Sequence, residues 1–105
     1  CTLPEQDRPT AIVCVNDLIA ISLLRQAEKA GISVPDDFSL TGFDGFPQGD
    51  WARPSLTTIR QPFDRFGPRA AELLVKGAEG DRSIHHDVFP GELIVRASSG
   101  PAPAG

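Results

Sequence analysis

The chain has 105 residues, of which 40% are hydrophobic and 23% are charged, with a formal net charge of −4 and a pI near 5.0. This average globular composition excludes a wholly disordered chain, and the acidic balance excludes the basic surface that DNA-binding domains carry. The length suits one domain at most, and no segment approaches the roughly 18–20 apolar residues of a membrane span, so we expect no membrane contact.

The first residue, the absence of methionine and the two cysteines lead to further expectations. The chain begins with Cys1 and contains no methionine, so we expect a fragment or a processed form of a longer protein. Cys1 is terminal and Cys14 lies in an apolar run, and two such cysteines do not make a disulfide framework. Two free thiols are typical of a reducing cytoplasm.

A strand, a helix and a second strand are predicted in the first part of the chain. Residues 11–15 form a continuous apolar, β-branched run that is typical of a parallel strand buried on both faces. Asn16 and Asp17 have helix-capping side chains, and apolar residues recur at helical spacing until Gly31, the expected C′ glycine. Residues 38–43 alternate like a strand, so the segment predicts a right-handed βαβ unit with a parallel sheet.

A third strand and a second helix are predicted next. Residues 46–54 are rich in proline and glycine and predict a loop or a single short helical turn, and residues 55–61 predict the strand. The second helix has an apolar face made of Phe63, Phe66, Ala70, Leu73 and Leu74. Pro68 cannot donate an interior hydrogen bond, so this helix should begin within residues 64–67 or be kinked there.

The last part of the chain is predicted to be extended and then disordered. Residues 84–99 form one or two extended segments, and the strongest strand pattern within them is at residues 93–95. Residues 100–105 contain only proline, alanine and glycine and have nothing to bury, so we expect a disordered tail.

Each of the three predicted strands ends near a residue that can bind a polar ligand. These residues are Asn16, Asp44 and Gln61. In open α/β sheets, ligands bind outside the carboxyl ends of the strands, so we expect the three side chains to face one site. A carboxylate and two amides suit the neighbouring hydroxyl groups of a polyol, which donate and accept hydrogen bonds. The aromatic residues that could cover the apolar face of a sugar or base ring are Phe43, Trp51 and Phe63.

The same residues also have ordinary structural interpretations. Asn16 suits a helix N-cap, and Asp44 suits a turn. Trp51 and Phe63 suit a core or an interface as well as a ligand stack. Gln61, which precedes a proline, has no common structural role, and this favours a functional one.

Few residues of the sequence support a catalytic or a metal-binding site. His85 and His86 are adjacent, so on a strand they would point to opposite faces and form a poor chelate. Cys14 inside an apolar strand should have a raised pKa and be inert as a nucleophile. The glycines lack the strand-then-helix context of a phosphate-binding loop. We therefore predict no catalytic residue, no metal and no cofactor.

Six segments occur together in the order and spacing of one family. They are PTAI followed by VND (residues 9–17), AGISVPDD (30–37), GFD (42–44), PSLTTIRQP (54–62), RAAELL (69–74) and ELIVR (92–96). Any single segment is a weak signal, but the ordered set is a strong one. Over residues 9–99 the chain resembles the lactose-repressor (LacI) type of bacterial transcriptional regulators.

The resemblance implies an α/β fold and a place in a larger protein. LacI-type regulators have a DNA-binding headpiece, a hinge, and a two-lobed effector domain like a periplasmic binding protein of type I. Residues 1–99 would be the C-terminal portion of that effector-binding and dimerisation domain, an incomplete Rossmann-like lobe with a parallel sheet. Residues 62–77 would cross as a helix toward the N-terminal lobe. The headpiece and most of that lobe are expected to be absent from the chain.

The resemblance also implies which residues bind the effector. Asn16 and Asp44 match family ligands of effector hydroxyl groups, and Gln61 lies at the last crossover between lobes, with Phe63 just beyond it. Trp51 matches a position where the family often has an aromatic residue near the cleft.

Two positions depart from the family pattern. Gly45 stands where the family often has a second Asp or Asn, which weakens any inference about the identity of the sugar. Pro68 stands where the family has another residue, which puts the start of the second helix in question.

The implied function is effector sensing. A sugar-like small molecule would bind between the two lobes and alter operator DNA binding through the missing headpiece, and the apolar face of the second helix predicts a homodimer or a domain-swapped assembly. A periplasmic sugar-binding protein of a transporter is the alternative within this fold, but the LTTIRQP segment and the unpaired Cys14 favour a cytoplasmic regulator. A small α/β enzyme is less well supported, because Asp44 is a lone acid at its strand end.

Overall fold

The structure is a computed structural model that describes residues 4–103. It divides the chain into two compact units: the residues up to Arg60 together with those from Glu92 onward, and Gln61–Gly91. The predictions for Cys1 and for residues 104–105 lie outside the described residues. Within residues 4–103, no helix is long and apolar enough to cross a membrane.

The first unit contains the predicted βαβ arrangement. A short 3₁₀ helix, Glu5–Asp7, precedes strand β1 (Ala11–Val13). Helix α1 (Asp17–Lys29) then leads to strand β2 (Ser39–Thr41), which lies parallel to β1. The prediction of an α/β fold with a parallel sheet is therefore confirmed.

A glycine ends α1, as the sequence predicts. Gly31 has the left-handed φ of +73°, and its N–H donates to the Glu28 carbonyl at 3.1 Å. The next residue, Ile32, donates its N–H to the Ala27 carbonyl at 2.9 Å. These two bonds form a Schellman motif, which satisfies carbonyl groups at the end of the helix and turns the chain toward β2.

Two further strands and a short helix complete the first unit. Helix α2 (Pro47–Trp51) is the predicted short helical turn, and strand β3 (Thr58–Arg60) follows it. Strand β4 (Glu92–Ile94) pairs with β3 in the antiparallel direction. Parallel bridges join the β2 and β3 segments by pairing Thr41 with Thr57 and Asp44 with Arg60. The carboxyl ends of β1, β2 and β3 therefore lie side by side.

The core of the first unit lies between α1 and the sheet. Its buried members are Cys14, Ala20, Leu24, Leu40 and Leu56. Full burial of a leucine side chain stabilises the fold by about 1.5–3 kcal/mol. Cys14 is a free thiol, and burial raises its pKa as predicted, which disfavours the nucleophilic thiolate.

Strand β1 is covered on one face only, which corrects the prediction for residues 11–15. Val13 and Val15 are 81% and 74% exposed, whereas Cys14 between them is buried. Successive strand side chains point to opposite faces, and α1 packs against the face that carries Cys14. An apolar, β-branched run predicts a strand but does not fix how many of its faces are covered.

Ser98 connects β2 to the segment that leads into β3. Its side chain is fully buried, accepts from the Thr57 N–H at 2.9 Å and donates to the Leu40 carbonyl at 2.6 Å. Its backbone N–H donates to the Ser55 carbonyl at 2.8 Å, and its carbonyl accepts from the Leu40 N–H at 2.9 Å. Ser98 thus adds cross-links beside the Thr41–Thr57 bridge that joins these segments directly.

The chain stays attached to β2 just beyond Ser98. Gly100 donates its N–H to the Ser39 hydroxyl oxygen at 3.0 Å, and the Ser39 hydroxyl lies 3.2 Å from the Gly100 carbonyl. The first residue of the predicted tail is therefore held against the sheet.

The second unit is built on helix α3 (Phe63–Ala78). The helix begins at Phe63, one residue before the predicted range of 64–67, and it contains Pro68 in its interior. Because proline has no N–H, the Asp64 carbonyl lacks its usual helical donor. No residue of α3 is buried, and Leu74 is 75% exposed.

The segment after α3 packs back on the helix through an aromatic cluster and an ion pair. The Phe66 and Phe89 rings lie 5.6 Å apart, and the Arg65 guanidinium lies 4.6 Å from the Phe89 ring centroid. Arg69 Nε donates to Asp87 Oδ2 at 3.0 Å. Residues 81–90 form no strand, so the predicted extended region forms a strand only at β4.

We expect Ser98→Ala to lower the free energy of unfolding by about 2–4 kcal/mol, because the buried Thr57 N–H and Leu40 carbonyl would lose partners. Urea denaturation followed by circular dichroism measures this change. The exposed Ser22 of α1 provides the matched control, since Ser22→Ala should be neutral or slightly stabilising. Equal effects of the two substitutions would contradict the assignment of Ser98 as a cross-link.

Candidate functional site

Asn16 has the capping role that its sequence position allows. It is the N-cap of α1 with extended backbone, and its Oδ1 accepts from the Ile19 N–H at 2.9 Å. The side chain is half-buried, and within the described residues its amide Nδ2 makes no hydrogen bond. The capping oxygen fixes the side chain while the amide donors stay available for a ligand.

Asp17 is not the cap but the first residue of α1, and its side chain is 0% exposed. Carboxylate Oδ2 accepts from the N–H of Gly45 at 3.0 Å and of Phe46 at 2.8 Å. Oδ1 accepts from the Thr58 hydroxyl at 2.6 Å. A buried carboxylate requires such donors, so Asp17 joins the start of α1, the turn after β2 and strand β3.

Asp44 has a strained backbone. Its φ is +127°, the only positive φ of a non-glycine residue in the described chain. Its N–H donates to the Ile59 carbonyl at 3.0 Å, and it bridges Arg60 in parallel fashion. Such conformations cost about 1–3 kcal/mol and cluster at ligand sites. The strain supports a functional interpretation of Asp44 over an ordinary turn.

Gly45 is required for two reasons. Its φ is +79°, and a Cβ at this position would lie 2.7 Å from the Arg60 Cα atom. Position 45, where the LacI family often has a second Asp or Asn, is therefore a place where two backbone segments approach closely. The glycine at position 45 fits both the positive φ and this close approach.

The first two predicted site residues are brought together. The Asp17 N–H donates to the Phe43 carbonyl at 2.9 Å, so the 16–17 peptide lies against the 43–44 peptide. Asn16 and Asp44 thus belong to adjacent turns at the carboxyl ends of β1 and β2, as predicted from the strand order.

Gln61 and Phe63 belong to the second unit. Gln61 directly follows Arg60 and is half-buried, and its carbonyl accepts from the Phe63 N–H at 2.9 Å. Phe63 is half exposed, and its ring makes an edge contact with Phe66 at a centroid distance of 6.1 Å. Their effector contacts remain predictions.

Trp51 lines a pocket that neither Asn16 nor Asp44 lines. The pocket has a volume of about 310 Å³ and lies between α1 and α2. Its walls include Ile21, Arg25, Glu28, Gln48 and Arg53. Trp51 is 71% exposed there, and its contact with the effector remains a prediction.

Sequence reasoning assigned Asp17 only a capping role and missed its connecting one. The available signal was redundancy, since Asn16 already caps the helix and a second capping residue beside it needs another explanation. Gly42 inside the predicted strand was a further signal, because a glycine in a strand often marks the close approach of another group. In the structure, a Cβ there would collide with the Asp17 carboxylate. Within residues 4–103, no group of three acidic, histidine or cysteine residues could hold a metal ion.

A sequence model of the periplasmic binding protein-like domain matches residues 2–99. The chain belongs to this family. This periplasmic binding protein-like chain is 44% identical over 99 residues to the arabinose metabolism transcriptional repressor of Geobacillus stearothermophilus. The match covers 91% of the chain and 27% of the repressor, so the chain spans about a quarter of that relative.

Solved structures similar to this periplasmic binding protein-like chain include regulators with ligands. A LacI family regulator from Lactobacillus casei with bound glucose is 28% identical, with a TM-score of 0.78, covering 93% of this chain and 35% of that one. The lac repressor dimer bound to operator and the anti-inducer ONPF is also 28% identical, with a TM-score of 0.79, covering 90% and 33%. The predicted resemblance to LacI-type regulators and the predicted fold are confirmed.

We expect Gly45→Ala to be clearly more destabilising than Gly31→Ala. Both glycines have a positive φ near +75°, but nothing lies within 4 Å of a Cβ at Gly31, whereas Gly45 faces the Arg60 backbone. Gly31→Ala should cost about 1 kcal/mol from backbone strain alone, and Gly45→Ala should cost about 2 kcal/mol more. Urea denaturation of both variants measures the difference, and equal losses would contradict the close approach at Gly45.

Proposed function

We propose that this chain is an effector-sensing and dimerisation portion of a LacI-type transcriptional regulator that binds a sugar-like small molecule. The observation that carries the proposal is the pairing of the Asn16 and Asp44 turns at the carboxyl ends of two parallel strands. The names of the similar regulators support the same class of function.

The two turns offer complementary hydrogen-bonding groups. Asn16 Nδ2 supplies donors, and the Asp44 carboxylate supplies acceptors, so together they suit adjacent hydroxyl groups of a polyol. Hydrogen bonds to a charged group contribute about 1.5–3 kcal/mol, which is roughly ten- to a hundredfold in affinity. Gln61, Phe63 and Trp51 are the further proposed ligands, carried by the family resemblance.

The proposed mechanism is a population shift. An effector bound between two lobes favours one angle between them, and a dimer transmits this preference to DNA-binding headpieces as a coupling free energy of about 1–3 kcal/mol. Operator DNA would be contacted only through such a headpiece, since this chain has a net charge of −4. Under this mechanism the chain acts as a cytoplasmic regulator and not as an enzyme, with no cofactor.

We expect the Asp44 carboxylate to strengthen the effector response. The 105-residue chain carries only part of the proposed site, so calorimetry with glucose, lactose or L-arabinose should show no micromolar binding by the chain alone. A chimera in which this chain replaces the matching segment of the Geobacillus repressor should respond to at least one of these sugars. Asp44→Ala in the chimera should weaken that response about ten- to a hundredfold.

The exposed Asp36 provides the matched control for this experiment. Asp36→Ala removes the same carboxylate from the turn before β2, at the opposite end of that strand from Asp44, and should leave the response unchanged. Operator binding without sugar should be equal in all three chimeras. Micromolar sugar binding by the isolated chain, or equal loss in the two variants, would contradict the proposed site.

We also expect the isolated chain to self-associate through α3. Leu74 and Val75 are 75% and 56% exposed, and exposed apolar helix faces drive association. Light scattering after size exclusion should give a dimer or a larger swapped assembly at high concentration. Leu74→Gln should shift the chain toward the monomer.

Lys76→Gln is the control for self-association, because it introduces the same side chain two residues away on the opposite side of the helix. It should not change the oligomeric state. A monomer at high concentration for the unmodified chain would overturn the α3 interface.

A further inference from the structure

We propose that Asp17 is a positioning residue for the effector site, holding Asp44 in its left-handed conformation without touching the effector. This inference rests on the proposed function for its link to a ligand. The geometry that carries it is the anchoring of both peptide groups that flank Asp44.

The peptide group before Asp44 is anchored by strand β3. The Asp44 N–H donates to the Ile59 carbonyl at 3.0 Å. This bond fixes the orientation of the 43–44 peptide. The carbonyl of the same peptide, on Phe43, accepts from the Asp17 N–H at 2.9 Å, so both of its polar groups are used.

The peptide group after Asp44 is anchored by the Asp17 side chain. Oδ2 accepts from the Gly45 N–H at 3.0 Å and from the Phe46 N–H at 2.8 Å. With the peptide planes on both sides held, the φ and ψ of Asp44 are determined. Its unfavourable φ of +127° then persists because its surroundings fix it.

Asp17 has no route to the effector itself. Its side chain is 0% exposed, and its two oxygens already accept three hydrogen bonds. A Cβ at Gly42 would collide with this carboxylate, so the backbone of the turn closes over it. Any influence of Asp17 on effector binding must therefore pass through the turn that carries Asp44.

The Thr58 hydroxyl extends the same connection to β3. It donates to Asp17 Oδ1 at 2.6 Å, and Thr58 is two residues before Arg60, the bridge partner of Asp44. The carboxylate thus fixes the Asp44 turn relative to the strand that ends at Arg60. The conformation of Asp44 therefore depends on the Asp17 side chain, which does not contact the effector.

Amide hydrogen exchange on the 105-residue chain tests this inference without any effector. Asp17→Asn keeps the shape but replaces the two charged oxygen acceptors with one weaker amide oxygen and one NH2 group, which donates and cannot accept. Exchange at Gly45 and Phe46 should accelerate about tenfold or more, relative to the Leu40 and Leu56 amides in the core. The strong intraresidue amide-to-α-proton NOE of Asp44, which reports positive φ, should weaken in the same variant.

Ser98→Ala provides a control that destabilises the same sheet without removing any hydrogen bond of Asp17. It should accelerate exchange at core amides and leave the Asp44 NOE unchanged in the folded chain. An equal acceleration of all amides in Asp17→Asn, an unchanged Asp44 NOE, or the same selective pattern in Ser98→Ala would each overturn the positioning role. Because no sugar is present, these outcomes are independent of whether the chimera responds to sugars.

Discussion

The hydrogen bonds that solvate one buried carboxylate constrain the three segments around Asn16 and Asp44. Asp17 is enclosed where two backbone N–H groups and the Thr58 hydroxyl replace water, and burying a carboxylate without such donors is costly. Gly42 and Gly45 are needed beside it, since a Cβ at Gly42 would meet the carboxylate and one at Gly45 would meet Arg60. The turn after β2, the start of α1 and strand β3 therefore have one compatible arrangement.

Much of the fold could be predicted from local sequence patterns. The capping amide of Asn16 and the glycine at position 31 set both ends of α1, because each satisfies unpaired backbone groups of a helix end. The number of β1 faces that are packed against other elements could not be predicted, because the same apolar sequence pattern occurs in strands packed on one face and on two. Helix α3 begins earlier than predicted because Pro68 is tolerated within it.

The candidate site was partly predictable for the same reason. Strand order alone places the Asn16 and Asp44 turns at neighbouring strand ends, and the structure brings them together. The role of Asp17 was hidden because two of its three partners are backbone N–H groups 28 and 29 residues away, which leave no side-chain signature in the sequence. The separate pocket around Trp51 depends on how α2 packs against α1, and no local pattern specifies that.

The cross-links of Ser98 have a consequence for the order of folding events. Its hydroxyl joins Leu40 and Thr57, which precede it by 58 and 41 residues. During synthesis these partners leave the ribosome long before Ser98 does, so the cross-links of Ser98 cannot form until residue 98 has emerged. Contacts of such long sequence separation also slow the search for the native state. The β2 and β3 segments can pair directly through Thr41 and Thr57 before that point, but this pairing gains the support of the Ser98 side chain only afterwards.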